Sequence, residues 1–435
     1  MVDFGRSNDP AVQAQLDRLA RLSVPQGRFG LKTITALMER LGSPHRKLPS
    51  VFHVAGTNGK GSACAFLRAM LEADGKRVHV TTSPHLVRYN ERIRIAGELI
   101  SDAALARLLE EVLDVSEDLG PSFFEVTIAS AFLAFSREPA DACVVEVGLG
   151  GRFDATNVLP ASVVAVSGIA ALGLDHERFL LAPEEGTPKE PMARIAFEKA
   201  GIAKRGVPLV ALDQVPEATR QIILRSESVG AKLALHGYEW SNKVELIEGE
   251  HRHIYRDDNG IMDLPLPNLN GPHQLRNCGL ALAMLRHQDE ITISNQAITQ
   301  GLQEANWPGR FQRLAQGPLA GTREVWIDGG HNPSAGKVMA QFWADKSVHL
   351  IIGMLANKNP EAIVAPLGRS TASLTAVPVP GQDHHPAQAF GKTTAWANDL
   401  AIALDALPED GRPVFITGSL YLIGEALRLN KEIPD

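Results

Sequence analysis

The sequence predicts an α/β protein: a large domain with a mostly parallel sheet and a phosphate-binding loop, followed by a smaller α/β domain. Three observations support this fold class. Short, continuously apolar segments alternate with amphipathic helical segments along the chain. A glycine-rich loop separates one of these apolar segments from the next helix. The alternation starts again after Trp307-Pro308-Gly309-Arg310. Apolar strands linked by helices are typical of a parallel sheet that is covered on both faces.

The elements follow from their periodicity, in chain order. Apolar residues that recur every three or four positions predict helices at residues 12–20, 34–41, 63–71 and 105–113. Uninterrupted apolar runs predict strands at residues 51–55, 78–81, 143–147, 163–166 and 208–212. Beyond the junction we expect strands at residues 325–327, 348–352 and 414–416, and a helix at residues 335–342. We therefore expect one domain over residues 1–306 and a second over residues 307–435.

Composition narrows the possible functions. Of the 435 residues, 44% are hydrophobic and 21% are charged, which excludes a disordered chain, a collagen-like repeat and a coiled coil. The net charge of −7 comes without a block of Lys or Arg, so we expect no nucleic-acid partner. No run of about 18 apolar residues occurs, so we expect no membrane partner, and we expect no secretory signal. The isolated residues Cys64, Cys143 and Cys278 predict buried free thiols and a cytoplasmic location.

The glycine-rich loop reads Gly56-Thr57-Asn58-Gly59-Lys60-Gly61-Ser62. It lies between a predicted strand and a predicted helix, which is the setting of a phosphate-binding loop. In that setting backbone N–H groups and the helix N-terminus attract an anion, and Lys60 would reach the β- and γ-phosphates of a nucleotide. The loop departs from the usual Walker A pattern because Gly61, rather than Ser or Thr, follows the lysine. The alternative is a glycine-rich turn with a solvent-exposed lysine.

Glu146 ends a predicted strand and precedes a second glycine-rich segment. A carboxylate at the C-terminal end of a parallel strand lies where ligands bind. Beside a phosphate-binding loop it is a candidate Mg²⁺ ligand, because Mg²⁺ prefers oxygen ligands together with substrate phosphates. A solvated glutamate at the strand end is the alternative. Asn357-Lys358-Asn359 is similar to a guanine-binding motif but lacks its aspartate, so a nucleotide-dependent switch is a remote alternative.

The phosphate-binding loop resembles that of the folylpolyglutamate synthase/dihydrofolate synthase family, within the Mur ligase superfamily. The resemblance continues in family order along nearly the whole chain. It covers Ser83-Pro84-His85-Leu86, Glu91-Arg92-Ile93, Phe123-Phe124-Glu125, residues 146–157, Leu174-Asp175-His176, Glu198-Lys199-Ala200-Gly201-Ile202, residues 308–312, residues 328–333 and residues 417–421. It implies a Mur-ligase-like fold, with an ATP-binding and pterin-substrate domain at residues 1–306 and a glutamate ligase domain at residues 307–435.

The resemblance implies an ATP-dependent ligase that adds L-glutamate to dihydropteroate, to (poly)glutamyl tetrahydrofolate, or to both. Such an enzyme forms an acyl phosphate and releases ADP and phosphate. ATP is then a substrate, two Mg²⁺ ions are the expected cofactors, the other partners are small molecules, and the chain is expected to be a monomer. A Mur-type peptidoglycan ligase shares this chemistry and is the main alternative, although Gly61 and the Ser83-Pro84-His85-Leu86 segment disfavour it.

The resemblance also implies roles for single residues. Catalysis is assigned to Lys60, to Lys199, which is carbamylated in the family, and to His331. Mg²⁺ ligation is assigned to Ser83, Glu146 and His176. ATP is expected to contact Thr57, Asn58, Gly59, Lys60, Gly61, Ser62, Asn277, Arg310 and Asp328. The pterin or folate is expected to contact Arg28, Phe29, Gly30, Ser122, Phe123, Phe124, Glu125, Phe153, Asp154 and Ala155.

Two features depart from the family pattern. Arg28 is unexpected in the pterin pocket. The segment at residues 179–191, which is rich in Pro, Glu and Gly, is longer than expected. It is either a surface insertion or one wall of the metal site. Judged from the residues alone, Lys199 is a solvated helix lysine, and Phe123 and Phe124 are equally consistent with core packing.

Overall fold

The computed structural model describes residues 5–22 and 30–435. They form two compact units. Unit 1 comprises the described residues of Met1–Pro84, together with Arg88–Asn268 and Gln274–Asn306. Unit 2 comprises His85–Val87, Leu269–His273 and Trp307–Asp435. Two short segments from the first 306 residues therefore belong to unit 2, which hydrophobic periodicity could not indicate.

An eight-stranded sheet forms the centre of unit 1, in the order β4-β3-β2-β5-β1-β6-β7-β8. The six strands from β2 to β8 in this order run parallel, and β3 and β4 add an antiparallel edge. The mostly parallel sheet confirms the predicted fold class. The strands are β1 Ser50–Ala55, β2 Val78–Thr81, β3 Ile93–Ile95, β4 Glu98–Leu99, β5 Ala142–Glu146, β6 Val164–Ile169, β7 Pro208–Ala211 and β8 Lys232–Leu235.

Ten helices belong to the described part of unit 1. One core cluster joins α1, α2, α4 and α5 to residues of β1 and β5, and another joins α7 and α8 to β6 and β7. The helices are α1 Pro10–Ala20, α2 Lys32–Arg40, α3 Lys60–Ala73, α4 Asp102–Asp114, α5 Phe123–Arg137, α6 Glu177–Leu180, α7 Pro191–Lys199, α8 Pro216–Val229, α9 Gln274–Arg286 and α10 Asn295–Glu304.

Unit 1 also contains a three-stranded antiparallel sheet that the periodicity analysis missed. Its strands are β9 Trp240–Ile247, β10 Glu250–Asp257 and β11 Gly260–Leu264, in the order β11-β10-β9. Most residues of β9 are exposed or half-buried, so the apolar run that marks a buried strand is absent. The Asn259-Gly260 pair at the second turn is a hairpin signal that could have indicated it.

Unit 2 is built on a six-stranded sheet in the order β12-β13-β17-β14-β15-β16. Only β12 pairs antiparallel with its neighbour among these strands. The strands are β12 Gln312–Arg313, β13 Val325–Asp328, β14 Val348–Ile352, β15 Thr371–Ala376, β16 Ala395–Trp396 and β17 Val414–Thr417. The helices are α11 Pro333–Phe342, α12 Glu361–Leu367, α13 Leu400–Asp405 and α14 Leu420–Asn430. Among all residues that the structure describes, no helix is long and apolar enough to cross a membrane.

Candidate active site

The phosphate-binding loop connects β1 to α3. Gly59 adopts φ = +84°, a left-handed conformation that favours glycine, and a Cβ at this position would collide with the side-chain amide of Asn277. α3 begins at Lys60, so the N–H groups of Lys60, Gly61 and Ser62 stand in the first turn, where the helix itself offers them no acceptor. These groups are free of helical acceptors and can bind an anion, and the Asn277 side chain lies directly beside Gly59.

In the first half of the loop, two backbone N–H groups are hydrogen-bonded to a carbonyl oxygen of the protein. The backbone N–H groups of Thr57 and Asn58 donate to the carbonyl oxygen of Ala171, at 2.9 and 3.1 Å. The Thr57 hydroxyl donates to the Gly173 carbonyl at 3.0 Å and accepts from the Gly173 N–H at 3.1 Å. These contacts fix the loop to the segment after β6, and the predicted ATP contacts of Thr57 and Asn58 stay predictions.

Glu146 is the last residue of β5 and is buried. One carboxylate oxygen accepts from the Ser83 backbone N–H at 3.2 Å, and the other lies 3.9 Å from the Lys60 ammonium. The structure thus brings three predicted site residues together at the C-terminal edge of the sheet. His176 precedes α6 with φ = +52°, and its N–H donates to the Asp175 carboxylate at 2.8 Å.

The donor set fits Mg²⁺. Glu146 and the Ser83 hydroxyl are oxygen donors next to the phosphate-binding end of the loop. In the described part of the chain, no three His, Cys, Asp or Glu side chains converge as a preformed metal cage. Mg²⁺ does not need such a cage, since it usually binds through one or two carboxylates, water and substrate phosphates.

Lys199 ends α7 and is buried, in contrast to the solvated lysine expected from the residues alone. Its ammonium nitrogen donates to the Gly56 carbonyl at 2.8 Å, so it lies under the phosphate-binding loop. The pKa of Lys199 is lowered to about 7, mainly by burial, and the nearby positive charge of Lys60 acts in the same direction. A fraction of this amine is therefore neutral near physiological pH.

Several predicted pterin contacts have local structural partners. Ser122 and Glu125 form a capping box at the start of α5: the Glu125 carboxylate accepts from the Ser122 N–H and hydroxyl, each at 2.8 Å. Phe124 lies against Gly148, where a Cβ would collide with its ring. Phe123 packs edge-to-face on Tyr89. Gly30 is exposed, and Arg28 and Phe29 lie outside the described residues.

The loop after β5 carries the other predicted pterin residues. The Arg152 guanidinium lies 4.1 Å over the Phe153 ring. Asp154 is buried and accepts from the Leu149 N–H at 2.9 Å and from the Thr156 hydroxyl at 2.5 Å. Burial raises the pKa of Asp154. Asp154 therefore holds the loop in shape, and the neighbouring Ala155 is buried in the core cluster.

Three other predicted site residues, Arg310, Asp328 and His331, lie in unit 2. The two carboxylate oxygens of the buried Asp328 accept from the Phe311 N–H at 3.1 Å and from the Gly330 N–H at 2.8 Å. Burial raises the pKa of Asp328, and the charge of Arg310 opposes this shift. His331 Nδ1 lies 3.2 Å from the Gly329 carbonyl oxygen, and the neighbouring Asn332, not His331, caps α11.

Comparison with known proteins gives a consistent result, although no protein-family model matches the chain. The chain is 34% identical over 421 residues to a folylpolyglutamate synthase of Lacticaseibacillus casei, with 90% of this chain and 92% of the relative covered. The Escherichia coli FolC structure in complex with DHPP and ADP superposes with a TM-score of 0.83 at 30% identity, covering 97% and 98% of the two chains. A bifunctional folylpolyglutamate synthase/dihydrofolate synthase with Mn, AMPPNP and L-glutamate bound gives a TM-score of 0.82 at 29% identity, covering 98% and 99%.

The chain belongs to the folylpolyglutamate synthase/dihydrofolate synthase family. Members of this Mur ligase group are ATP-dependent, amide-forming ligases that add glutamate to folates. Membership decides against the peptidoglycan ligase and the nucleotide switch as alternatives.

Sequence reasoning on this synthase missed an ion-pair cluster beside Lys199. Arg152 donates to Glu198 at 3.0 and 2.8 Å, and Arg194 approaches Glu198 to 2.9 Å. Glu184, from the segment that departs from the family pattern, contacts both arginines. In the sequence, Arg152 is next to Phe153 and Glu198 is next to Lys199, which could have drawn attention to both charged residues. The sequence does not show that Arg152 and Glu198 are in contact.

Proposed function

We propose that this synthase uses ATP to activate the carboxylate of dihydropteroate or a folate. It then joins the carboxyl carbon to the amine of L-glutamate. A carboxylate does not condense with an amine at neutral pH because its oxygen is a poor leaving group. Transfer of the γ-phosphoryl group gives an acyl phosphate, and attack by the glutamate amine expels phosphate. The observation that carries this proposal is the convergence of Lys60, Glu146 and Ser83 at the open first turn of α3.

Lys60 and the first-turn N–H groups of α3 bind the phosphates in this proposal. The charge of Lys60 stabilises the negative charge on the transferring phosphoryl group. Asn277 positions the loop from outside, because its side chain lies against Gly59. In unit 2, Arg310 and Asp328 contact the nucleotide, and His331 acts on the reacting groups.

Glu146, Ser83 and His176 would hold Mg²⁺. When bound with ATP, the metal neutralises phosphate charge and orients the γ-phosphoryl group. The Ser83 N–H, which donates to Glu146, fixes the direction of that carboxylate without using its metal-binding capacity.

Lys199 is carbamylated in this proposal. Its neutral amine attacks CO₂, a nitrogen–carbon bond forms, and a proton leaves, which converts a buried cation into an anion. Two observations support the assignment: Lys199 is buried, and its pKa is lowered to about 7, so the reactive neutral form is available. The resulting carbamate lies beside the phosphate-binding loop, because the amine already contacts the Gly56 carbonyl.

The acceptor is assigned to the first turn of α5 and to the loop after β5. Phe124 and Phe153 offer half-buried aromatic faces that suit a flat pterin ring. The side chains of Ser122, Glu125 and Asp154 are engaged locally, so they shape these loops. Arg28, Phe29 and Gly30 complete the assignment. We also infer a cytoplasmic monomer without nucleic-acid or membrane partners; the three buried free cysteines support a reducing compartment.

The test measures glutamate-dependent ADP release from Mg-ATP, in parallel with 7,8-dihydropteroate and with tetrahydrofolate. We expect release with at least one acceptor, and the pattern defines whether one or both activities are present. No release with either acceptor, from folded protein that binds ATP, contradicts the proposal. Size-exclusion chromatography with light scattering tests the monomer, for which a mass of 46.9 kDa is expected.

A further inference from the structure

The segment between His176 and α7 is fixed both to the acceptor loop and to α7. The Leu180 side chain packs on Gly150, where an added Cβ would lie 3.1 Å from a leucine methyl group. The Leu180 carbonyl accepts from Arg194 Nε at 3.0 Å. At the other end, the Glu190 carboxylate caps α7 by accepting from the Met192 and Ala193 N–H groups. The segment of residues 177–190, called the wall below, is therefore packed against unit 1 and is not a loose insertion.

Glu184 is the charged centre of this wall. One of its oxygens accepts from Arg152 at 3.1 Å, and the other accepts from Arg152 at 2.5 Å and from Arg194 at 2.9 Å. The hydrogen bonds from Arg152 are the main reason that the pKa of Glu184 falls to about 2. The Thr187 hydroxyl donates to the Glu184 carbonyl at 2.6 Å, which fixes the backbone at this position.

The charges of the ion-pair cluster cancel only when Glu184 is present. Arg152 and Arg194 also share Glu198, so the four side chains contain two positive and two negative charges. The side chains of Arg194 and Glu198 are 6% and 7% exposed, where an unpaired charge is costly. Without Glu184, two guanidinium groups would compete for one carboxylate, and Arg152 would lose half of its ion-pair partners.

The position of Arg152 matters for the acceptor. Its guanidinium lies over two rings, 4.1 Å from the centre of Phe153 and 4.9 Å from the centre of Phe197. Phe153 belongs to the proposed acceptor loop, and Phe197 lies on α7, two residues before Lys199. A bidentate carboxylate restrains a planar guanidinium in both direction and rotation. Restraint of Arg152 therefore restrains Phe153.

We propose that Glu184 is a positioning residue for the acceptor: it fixes Arg152, and through Arg152 it holds Phe153 and the loop of residues 149–155 against α7. This inference rests on the proposed function only for the identity of the acceptor. Glu184 lies in the segment of residues 179–191 that the sequence analysis singled out as longer than expected.

Three variants test this inference in the full chain: Glu184→Gln, Glu184→Asp and the matched control Glu185→Gln, at an exposed neighbouring position. Steady-state kinetics with whichever acceptor the wild type uses should show the KM of the acceptor raised about tenfold in Glu184→Gln, as expected for loss of charged hydrogen bonds. The KM of ATP should change less than about twofold. Glu184→Asp, which keeps the charge, should recover most of the loss, and Glu185→Gln should match the wild type.

Hydrogen exchange of residues 149–155 supplies a second measurement that needs no turnover. Glu184→Gln should speed exchange in this loop, whereas Glu185→Gln should not. Unchanged exchange, or equal changes in the KM of acceptor and ATP, would overturn the inference. If the wild type itself shows no glutamate-dependent ADP release, the proposed function fails, and the exchange measurement still decides whether Glu184 positions the loop.

Discussion

Two lysines beside the same loop show how the surroundings of a residue decide its chemistry. Lys60 begins a helix and faces the carboxylate of Glu146 at 3.9 Å. Lys199 ends another helix, is buried, and donates to a neutral carbonyl. The sequence identifies Lys60 by its motif. It does not show that Lys199 is buried, because that depends on how α7 packs under a loop more than 130 residues away in the chain.

We expect Lys60→Ala to lower kcat for glutamate-dependent ADP release by at least about 100-fold, because transition-state charge loses its nearest side-chain cation. The unfolding midpoint should stay within about 3 °C of the wild type, since the contact of the ammonium with Glu146 is long, at 3.9 Å. Steady-state kinetics and circular dichroism melting measure these quantities. Lys243→Ala, at an exposed lysine, is the control. Near-normal turnover would refute the role of Lys60.

The lowered pKa of Lys199 predicts a pH dependence. Below about pH 7 the amine is protonated and cannot add CO₂, so activity at a fixed, limiting CO₂ concentration should fall as pH drops through 7 and rise above it. Added bicarbonate should restore activity near pH 7. Lys199→Met should be inactive and insensitive to bicarbonate. If added bicarbonate did not change the activity of the wild type at any pH from 6 to 9, carbamylation would be contradicted.

At the scale of elements, the parallel strands were predictable because burial on both faces leaves an apolar run in the sequence. β1, β5 and β6 meet that condition. The hairpin sheet of β9, β10 and β11 does not, because much of it is exposed. Likewise, the phosphate-binding loop was predictable from its glycines, whereas its anchoring to Ala171 and Gly173 depends on pairing between β1 and β6.

Gly59→Ala should weaken ATP binding by at least about tenfold. The added Cβ meets the Asn277 side chain, so the loop or Asn277 must move, and alanine is also strained at a positive φ by about 1 kcal/mol. Isothermal titration calorimetry with ATP measures the effect. Gly75→Ala is a matched control because its φ is +75° and an added Cβ meets nothing within 4 Å. Equal ATP affinity in both variants would mean that Asn277 does not constrain the loop.

Phe124→Ala should raise the KM of the acceptor about tenfold while the KM of ATP stays nearly constant. Its ring lies on Gly148, so truncation also opens space in the loop and should cost about 1–2 kcal/mol of unfolding free energy. Kinetics and urea denaturation separate the two effects. Phe390→Ala, in the core of unit 2, should lose stability without changing the KM of the acceptor. A parallel rise in both KM values would identify Phe124 as a core residue only.

At the scale of the whole molecule, the predicted ATP-binding and catalytic residues are distributed over both units. Lys60, Glu146, Lys199 and Asn277 belong to unit 1, and Arg310, Asp328 and His331 belong to unit 2. Six of the seven lie in short family patterns, Asn277 is assigned by the resemblance alone, and the roles of all seven stay predictions. The use of Asp328 to hold the left-handed turn at Phe311, where φ is +40°, follows only from the folded unit.

Arg310→Ala should lower kcat/KM for ATP by about tenfold or more, as expected for loss of a charged contact, while the KM of the acceptor changes little. Arg369→Ala, at an exposed arginine of unit 2, is the control. Both variants should keep the unfolding profile of the wild type. If Arg310→Ala changed the KM of the acceptor and left kcat/KM for ATP unaffected, Arg310 would bind the acceptor and not ATP.

Unit 2 is assembled from three separated stretches of sequence, and this limits how the protein can be cut or recombined. The Leu86 carbonyl lies so close to Gly424 that no side chain fits at residue 424. The Asn270 side-chain amide donates to the Phe311 carbonyl at 3.1 Å. A fragment of residues 307–435, or a chimera spliced after residue 306, would leave both positions without their partners. An exchange of unit 2 between relatives must therefore include residues 85–87 and 269–273.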